Sequence, residues 1–181
     1  MRWHIGLMTG TVLDGNIDVA LLRTDGQIIE EFGYYNLMPY DEEVKDLLIK
    51  AIDEARIWNF NGPEPELFSK TEAALTNSQI VAVQKCIKLS GLDKNKIGAI
   101  GFHGQTVLHK PPSKSSKGKT RQLGDGQKMA NKLGIPVVYD FRTKDIKEGG
   151  QGAPLCPIYH SALLKKIGAA PTTAILNLGG L

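Results

Sequence analysis

The sequence predicts an α/β fold: a mixed β-sheet that opens in a β-meander and is flanked by helices. Three observations carry this. Apolar runs at residues 3–8 and 17–22 are joined by the turn-rich Thr9-Gly10-Thr11-Val12-Leu13-Asp14-Gly15-Asn16, which reads as strand, turn, strand. Asp25-Gly26 then reads as a hairpin turn into a third strand over residues 27–35. Beyond residue 40, helix-period and strand-like segments alternate, as they do where helices cover a sheet.

The later elements follow in order. Asp41 is a candidate N-cap, and Val44, Leu47, Leu48, Ala51, Ile52 and Ala55 recur at helical spacing behind it. Asn61-Gly62-Pro63 breaks that helix. A longer one spans residues 64–89, with Gly91 as its C-terminal stop. Residues 97–102 read as a buried strand, 110–119 as a mobile loop, 126–133 as a short helix and 136–139 as a strand. A helix over 157–167 and a strand over 172–176 complete the pattern, and the last strand runs into Asn177-Leu178-Gly179-Gly180.

Composition narrows the function classes. Apolar residues make up 41% of the 181 positions, enough for a core, and no apolar run reaches the length of a membrane span. The N-terminus has no secretory pattern. Two cysteines, Cys86 and Cys156, suit a reducing cytoplasm and give no disulfide framework. A net charge of +3 gives no case for nucleic acid, since the excess gathers in residues 110–121, a Ser-, Lys- and Pro-rich connection. His103 and His109, on an extended segment, would stand roughly 20 Å apart and could not share a zinc ion.

Chemistry concentrates in the first turn. Glycine lets backbone N–H groups approach phosphate oxygens closely. Gly10 and Gly15 bracket the Thr11 hydroxyl, and Asp14 could hold Mg²⁺ through water. The same residues also suit an ordinary hairpin turn. No Walker or dinucleotide-binding glycine pattern is present.

Ile5-Gly6-Leu7-Met8-Thr9-Gly10-Thr11 with Leu13-Asp14-Gly15 resembles the first phosphate-binding turn of the superfamily of sugar kinases, heat-shock ATPases and actin. More narrowly, it resembles the turn of the anhydro-N-acetylmuramic acid kinase family. Four further segments resemble that family: Gly101-Phe102-His103-Gly104-Gln105-Thr106-Val107-Leu108-His109, Gln122-Leu123-Gly124-Asp125-Gly126, Ile135-Pro136-Val137-Val138-Tyr139-Asp140-Phe141-Arg142 and Gly149-Gly150-Gln151-Gly152-Ala153-Pro154-Leu155. Asn177-Leu178-Gly179-Gly180 resembles its closing turn. Two departures stand out. Met8 occupies the place of an Asp in the wider superfamily, and Val12 that of a Ser, which removes one hydroxyl donor.

The resemblance implies an actin-like ATPase domain of the ribonuclease H-like kind over residues 1–170, with the start of a truncated second domain at 171–181. It implies a cytoplasmic kinase that opens the 1,6-anhydro bridge of anhydro-N-acetylmuramic acid with water and phosphorylates O6 in cell-wall recycling, using ATP and Mg²⁺. By the resemblance, Gly10, Thr11, Val12, Leu13, Asp14, Gly15, Asn16 and Ile17 face ATP, Asp14 being the metal candidate. His103, Gln105, Asp125, Asp140, Arg142 and Gln151 face the sugar, and an Arg142 fork suits its lactyl carboxylate. A surface salt bridge for Arg142 and a satisfied core position for His103 stand as the plain alternatives. The family's water-activating Asp follows the closing Gly-Gly turn, so it is expected beyond Leu181, in a longer protein of which this chain is a fragment. A nucleotide-binding or regulatory module without catalysis is the alternative. The partner is a small sugar, with neither nucleic acid nor membrane, and an uncovered sheet edge would favour a homodimer.

Overall fold

A computed structural model describes residues 1–9 and 15–176. The turn Gly10 to Asp14 and the closing segment 177–181 lie outside the described residues.

Among the described residues, seven strands and five α-helices follow one another as β1 (Arg2–Met8), β2 (Asn16–Thr24), β3 (Ile29–Pro39), α1 (Glu42–Trp58), α2 (Leu67–Ser90), β4 (Ile97–Phe102), β5 (Gln105–Lys110), β6 (Lys119–Leu123), α3 (Gly126–Leu133), β7 (Val137–Tyr139), α4 (Phe141–Lys147) and α5 (Pro157–Lys166). The main sheet has the order β3-β2-β1-β4-β7, and β5 and β6 form a separate hairpin. β1, β2 and β3 are antiparallel neighbours, which is the opening meander. β4 and β7 run parallel to β1 and to each other. The sheet is therefore mixed, as the sequence predicts.

The period-2 pattern decides which face is covered. Ile5 and Leu7 of β1 are buried while Gly6 between them and Met8 after them are exposed, and Ile17, Val19 and Leu21 of β2 repeat the alternation. α1 buries Val44, Leu47, Leu48, Ala51 and Ala55, the helical stripe seen in the sequence. α2 packs against β2, β3, α1 and α3. Its Phe68, Leu75, Val83 and Cys86 are at most 1% exposed, each large apolar side chain there adding about 1.5–3 kcal/mol of burial. Burial also pushes the Cys86 thiol up to about 11. Gly91 ends α2 with φ +66°, and Asp41 starts α1 through its backbone carbonyl, with no side-chain cap bond.

Three expectations change. Residues 172–176 are not a strand: no ladder partner lies beside them among the described residues, and Ile175 and Leu176 are exposed. The segment read as a mobile loop is the tip of the β5–β6 hairpin, closed by a bridge between Ser113 and Ser116. Its strands escape the sequence reading because Thr, His, Lys and Arg interrupt the apolar alternation. α4 escapes it too, because the helix starts from Asp140 in the left-handed region, φ 53°, without a side-chain cap. No described helix is long and apolar enough to cross a membrane.

Candidate active site

Parallel strands gather chemistry at one edge, because loops that follow them leave the sheet on the same side. β1 ends at Met8 and leads into Thr9 and the glycine-rich turn. β4 ends at Phe102 and leads into His103-Gly104. β7 ends at Tyr139 and leads into Asp140 and α4 with Arg142. Motifs far apart in sequence thus meet at the carboxyl ends of three adjacent strands.

Gly104 ties two of them together. Its φ is +66°, and a Cβ there would collide with the Leu123 carbonyl. The Gly104 carbonyl accepts from the hydroxyl of Thr9, itself 2% exposed, at 2.9 Å. It also lies 2.8 Å from His103 Nδ1. The positive φ of Gly104 turns the chain between His103 and β5, which carries His109.

Arg142 is anchored on two sides. Nη1 donates to the Gly152 carbonyl, and Nη2 lies 3.0 Å from His103 Nε2. A guanidinium only donates, so Nε2 is the acceptor there. Nδ1 then carries the proton and donates to Gly104. His103 is held below its ordinary pKa, by burial first and then by the Arg142 charge, against the raising effect of the Gly104 bond. Burial and then Arg142 lower His109 as well. Nε of Arg142 is buried without a hydrogen-bond partner among the described residues.

The remaining predicted residues divide. Asp140 Oδ1 accepts from Thr143 at 2.6 Å. Gln151 is exposed beside Gly152. Asp125 caps α3, accepting from the Lys128 amide at 2.8 Å, so one of its oxygens has a structural task. Its loop still adjoins the edge, since Gly126 abuts the Tyr139 ring and a Cβ on Gly124 would lie 3.3 Å from Gly104 Cα. Gln105 is fully buried, with Nε2 donating to Thr106 at 3.3 Å and Oε1 unpaired among the described residues. The Ile17 side chain belongs to the core, while Asn16 is half-buried at the start of β2. Gly10, Thr11, Val12, Leu13 and Asp14 lie outside the described residues. Gly15 has φ +91°, and Lys45 Nζ would lie 3.8 Å from a Cβ placed there. A cation at the exit of a glycine-rich turn fits a polyphosphate.

Four supporting residues have no signal in the sequence. Lys45 is one of the two lysines on α1 and no motif marks it. Glu72 and Thr76 on α2 accept from the consecutive amides of Gly124 and Asp125, each at 3.0 Å. Asp145 accepts from the Gly152 amide at 2.7 Å. Each acts on residues distant in sequence or around a loop, which no local pattern reveals.

A family model described as anhydro-N-acetylmuramic acid kinase matches residues 2–181. Relatives of that name from Brucella anthropi and Rhizobium rhizogenes are 58% and 56% identical over 179 residues, covering 99% of this chain and 48% of each relative. A Jannaschia protein, named anhydro-N-acetylmuramic acid kinase 2, is 57% identical over 181 residues, again across 48% of its length. The chain spans about half the length of these relatives.

Proposed function

The chain belongs to the anhydro-N-acetylmuramic acid kinase family, and on that premise we propose that it supplies the phosphate-binding turn and one wall of the sugar cleft of a kinase. That kinase opens 1,6-anhydro-N-acetylmuramic acid with water and phosphorylates its O6. The observation that carries the reading is the meeting of the β1, β4 and β7 loops at one sheet edge, where open α/β sheets bind their ligands.

ATP with Mg²⁺ supplies the transferable phosphoryl group and offsets its charge. In this reading the chain's own residues bind and orient. The glycine-rich turn of residues 10–15 would hold phosphates together with the Lys45 ammonium, Asp14 being the metal candidate. Arg142 meets the lactyl carboxylate through donors that Gly152 and His103 leave free. Asp140, Asp125 and Gln151 suit sugar hydroxyls. Gln105, wholly enclosed, supports the wall from behind rather than touching the sugar. His103 has both ring nitrogens engaged, so it holds a proton rather than moving one.

Calorimetric titration of the purified chain with two sugars tests this. Anhydro-N-acetylmuramic acid should bind roughly tenfold or more tightly than the anhydro-glucosamine analogue without the lactyl group, since a charged hydrogen bond contributes about 1.5–3 kcal/mol. Arg142→Met should remove most of that difference. The same mixture with ATP and Mg²⁺ should show binding without steady ADP release. Equal affinity for the two sugars would end the Arg142 assignment, and steady turnover would put the base among Asp14, Asp125 and Asp140.

A further inference from the structure

Arg142 reaches across the edge to a histidine 39 residues away, and the pairing has a direction. Nδ1 of His103 faces the Gly104 carbonyl at 2.8 Å, and Nε2 faces Arg142 Nη2 at 3.0 Å. A carbonyl can only accept and a guanidinium can only donate. One neutral tautomer satisfies both, with its proton on Nδ1. The guanidinium gains an acceptor on one side from His103 and on the other from Gly152. These two fix its plane while Nε is left without a partner among the described residues.

We propose that His103 is a positioning residue for Arg142: its Nδ1–H tautomer, set by the Gly104 carbonyl, offers Nε2 as the acceptor that orients the guanidinium toward an anionic group of the ligand, and protonation of the ring releases it. The inference rests on the reading of Arg142 as the carboxylate partner. It adds the residue that makes that partner rigid and pH-dependent. A planar fork held in one orientation loses less freedom on meeting a carboxylate than a free one.

The surroundings set the sign. Phe141 of α4 packs at the ring edge, with centroids 6.4 Å apart, and brings no charge. Arg142 supplies the charge that acts on the ring. Asp145, also on α4, is turned to the Gly152 amide, and His109 on β5 has its own pKa lowered by burial and then by Arg142. No carboxylate among these compensates a second cation. The ring's pKa is therefore lowered, by burial first and then by the Arg142 charge, so that protonation is shifted toward acid. Nε2–H would then face Nη2 as donor against donor and cation against cation.

Nitrogen-15 NMR of the 181-residue chain, labelled on histidine and arginine, tests this without ligand. At neutral pH, His103 should show the Nδ1–H pattern, and Arg142 should show separate, slowly rotating Nη signals. Acidification should protonate His103 below the usual histidine midpoint and merge those signals in step. Arg142→Met should move the midpoint upward. His103→Gln keeps an amide acceptor and cannot titrate, so the separate signals should persist across the range. His103→Phe should merge them at every pH, and should weaken anhydro-N-acetylmuramic acid binding roughly tenfold where the sugar binds. The Nε2–H tautomer, or Arg142 signals indifferent to the titration of His103, would overturn the proposal, and the unsubstituted chain alone decides this if a variant does not fold. Should the guanidinium behave as described while neither sugar binds, the ligand reading fails and the positioning stands.

Discussion

At the scale of single residues, Gly152 is tightly constrained in the candidate site. Both of its backbone groups are taken by side chains of α4, the carbonyl by Arg142 and the amide by Asp145. Its φ of +71° disfavours any side chain, and a Cβ would stand 2.9 Å from His109 Cε1 and from two Ile146 carbons. Gly152→Ala therefore combines backbone strain of about 1–3 kcal/mol with displaced neighbours. The expected result is a urea midpoint lowered accordingly and an Arg142 with lost anchorage. An unchanged midpoint, with Arg142 signals intact, would show that the loop tolerates a side chain. Much of this position was legible: the Gly-Gly-Gln-Gly run signals special backbone geometry, and His103 and Arg142 were both singled out. Their mutual contact was not, because it joins two loops through the fold and leaves no trace in local spacing.

At the scale of elements, α2 acts as a ruler for the loop that carries Asp125. Glu72 and Thr76 lie one helical turn apart and receive the amides of Gly124 and Asp125. Arg121 of β6 joins Glu72 at 3.3 Å and holds Glu64 with Nε at 2.9 Å and Nη2 at 3.0 Å. Burial would lower the Arg121 pKa, but the two glutamates outweigh it and raise it. The two carboxylates differ in worth. The Glu72 side chain is 27% exposed and serves a backbone amide, whereas that of Glu64 is 47% exposed. Glu72→Ala should cost about 1–3 kcal/mol by leaving the Gly124 amide unpaired. Glu64→Ala should cost under about 1 kcal/mol, as exposed pairs do. Chemical denaturation of both variants checks the order, and a larger loss from Glu64→Ala would contradict it. Helices α1, α2 and α3 were readable because their apolar stripes repeat at 3.6 residues and glycine closes two of them. The β5–β6 hairpin was not, because strands such as Lys119–Leu123 are defined by pairing rather than by composition. Residues 172–176 show the converse: β-prone side chains make no strand without a neighbouring ladder.

At the scale of the whole molecule, one carbonyl joins the two halves of the edge. Gly104 O receives the hydroxyl of Thr9, where the proposed phosphate turn begins, and the ring of His103, where the hold on Arg142 begins. In the proposed function, nucleotide and sugar therefore meet across Gly104. The most direct test is a map of backbone amide shifts in the nitrogen-15-labelled chain, first with ATP and Mg²⁺, then with anhydro-N-acetylmuramic acid. The nucleotide should move Thr9, Gly15 and their neighbours. The sugar should move His103, Asp140, Arg142 and Gly152, and both should move Gly104. A sugar response confined to the opposite side of the fold, on β3 or α5, with Gly104 and Arg142 unmoved, would contradict the account.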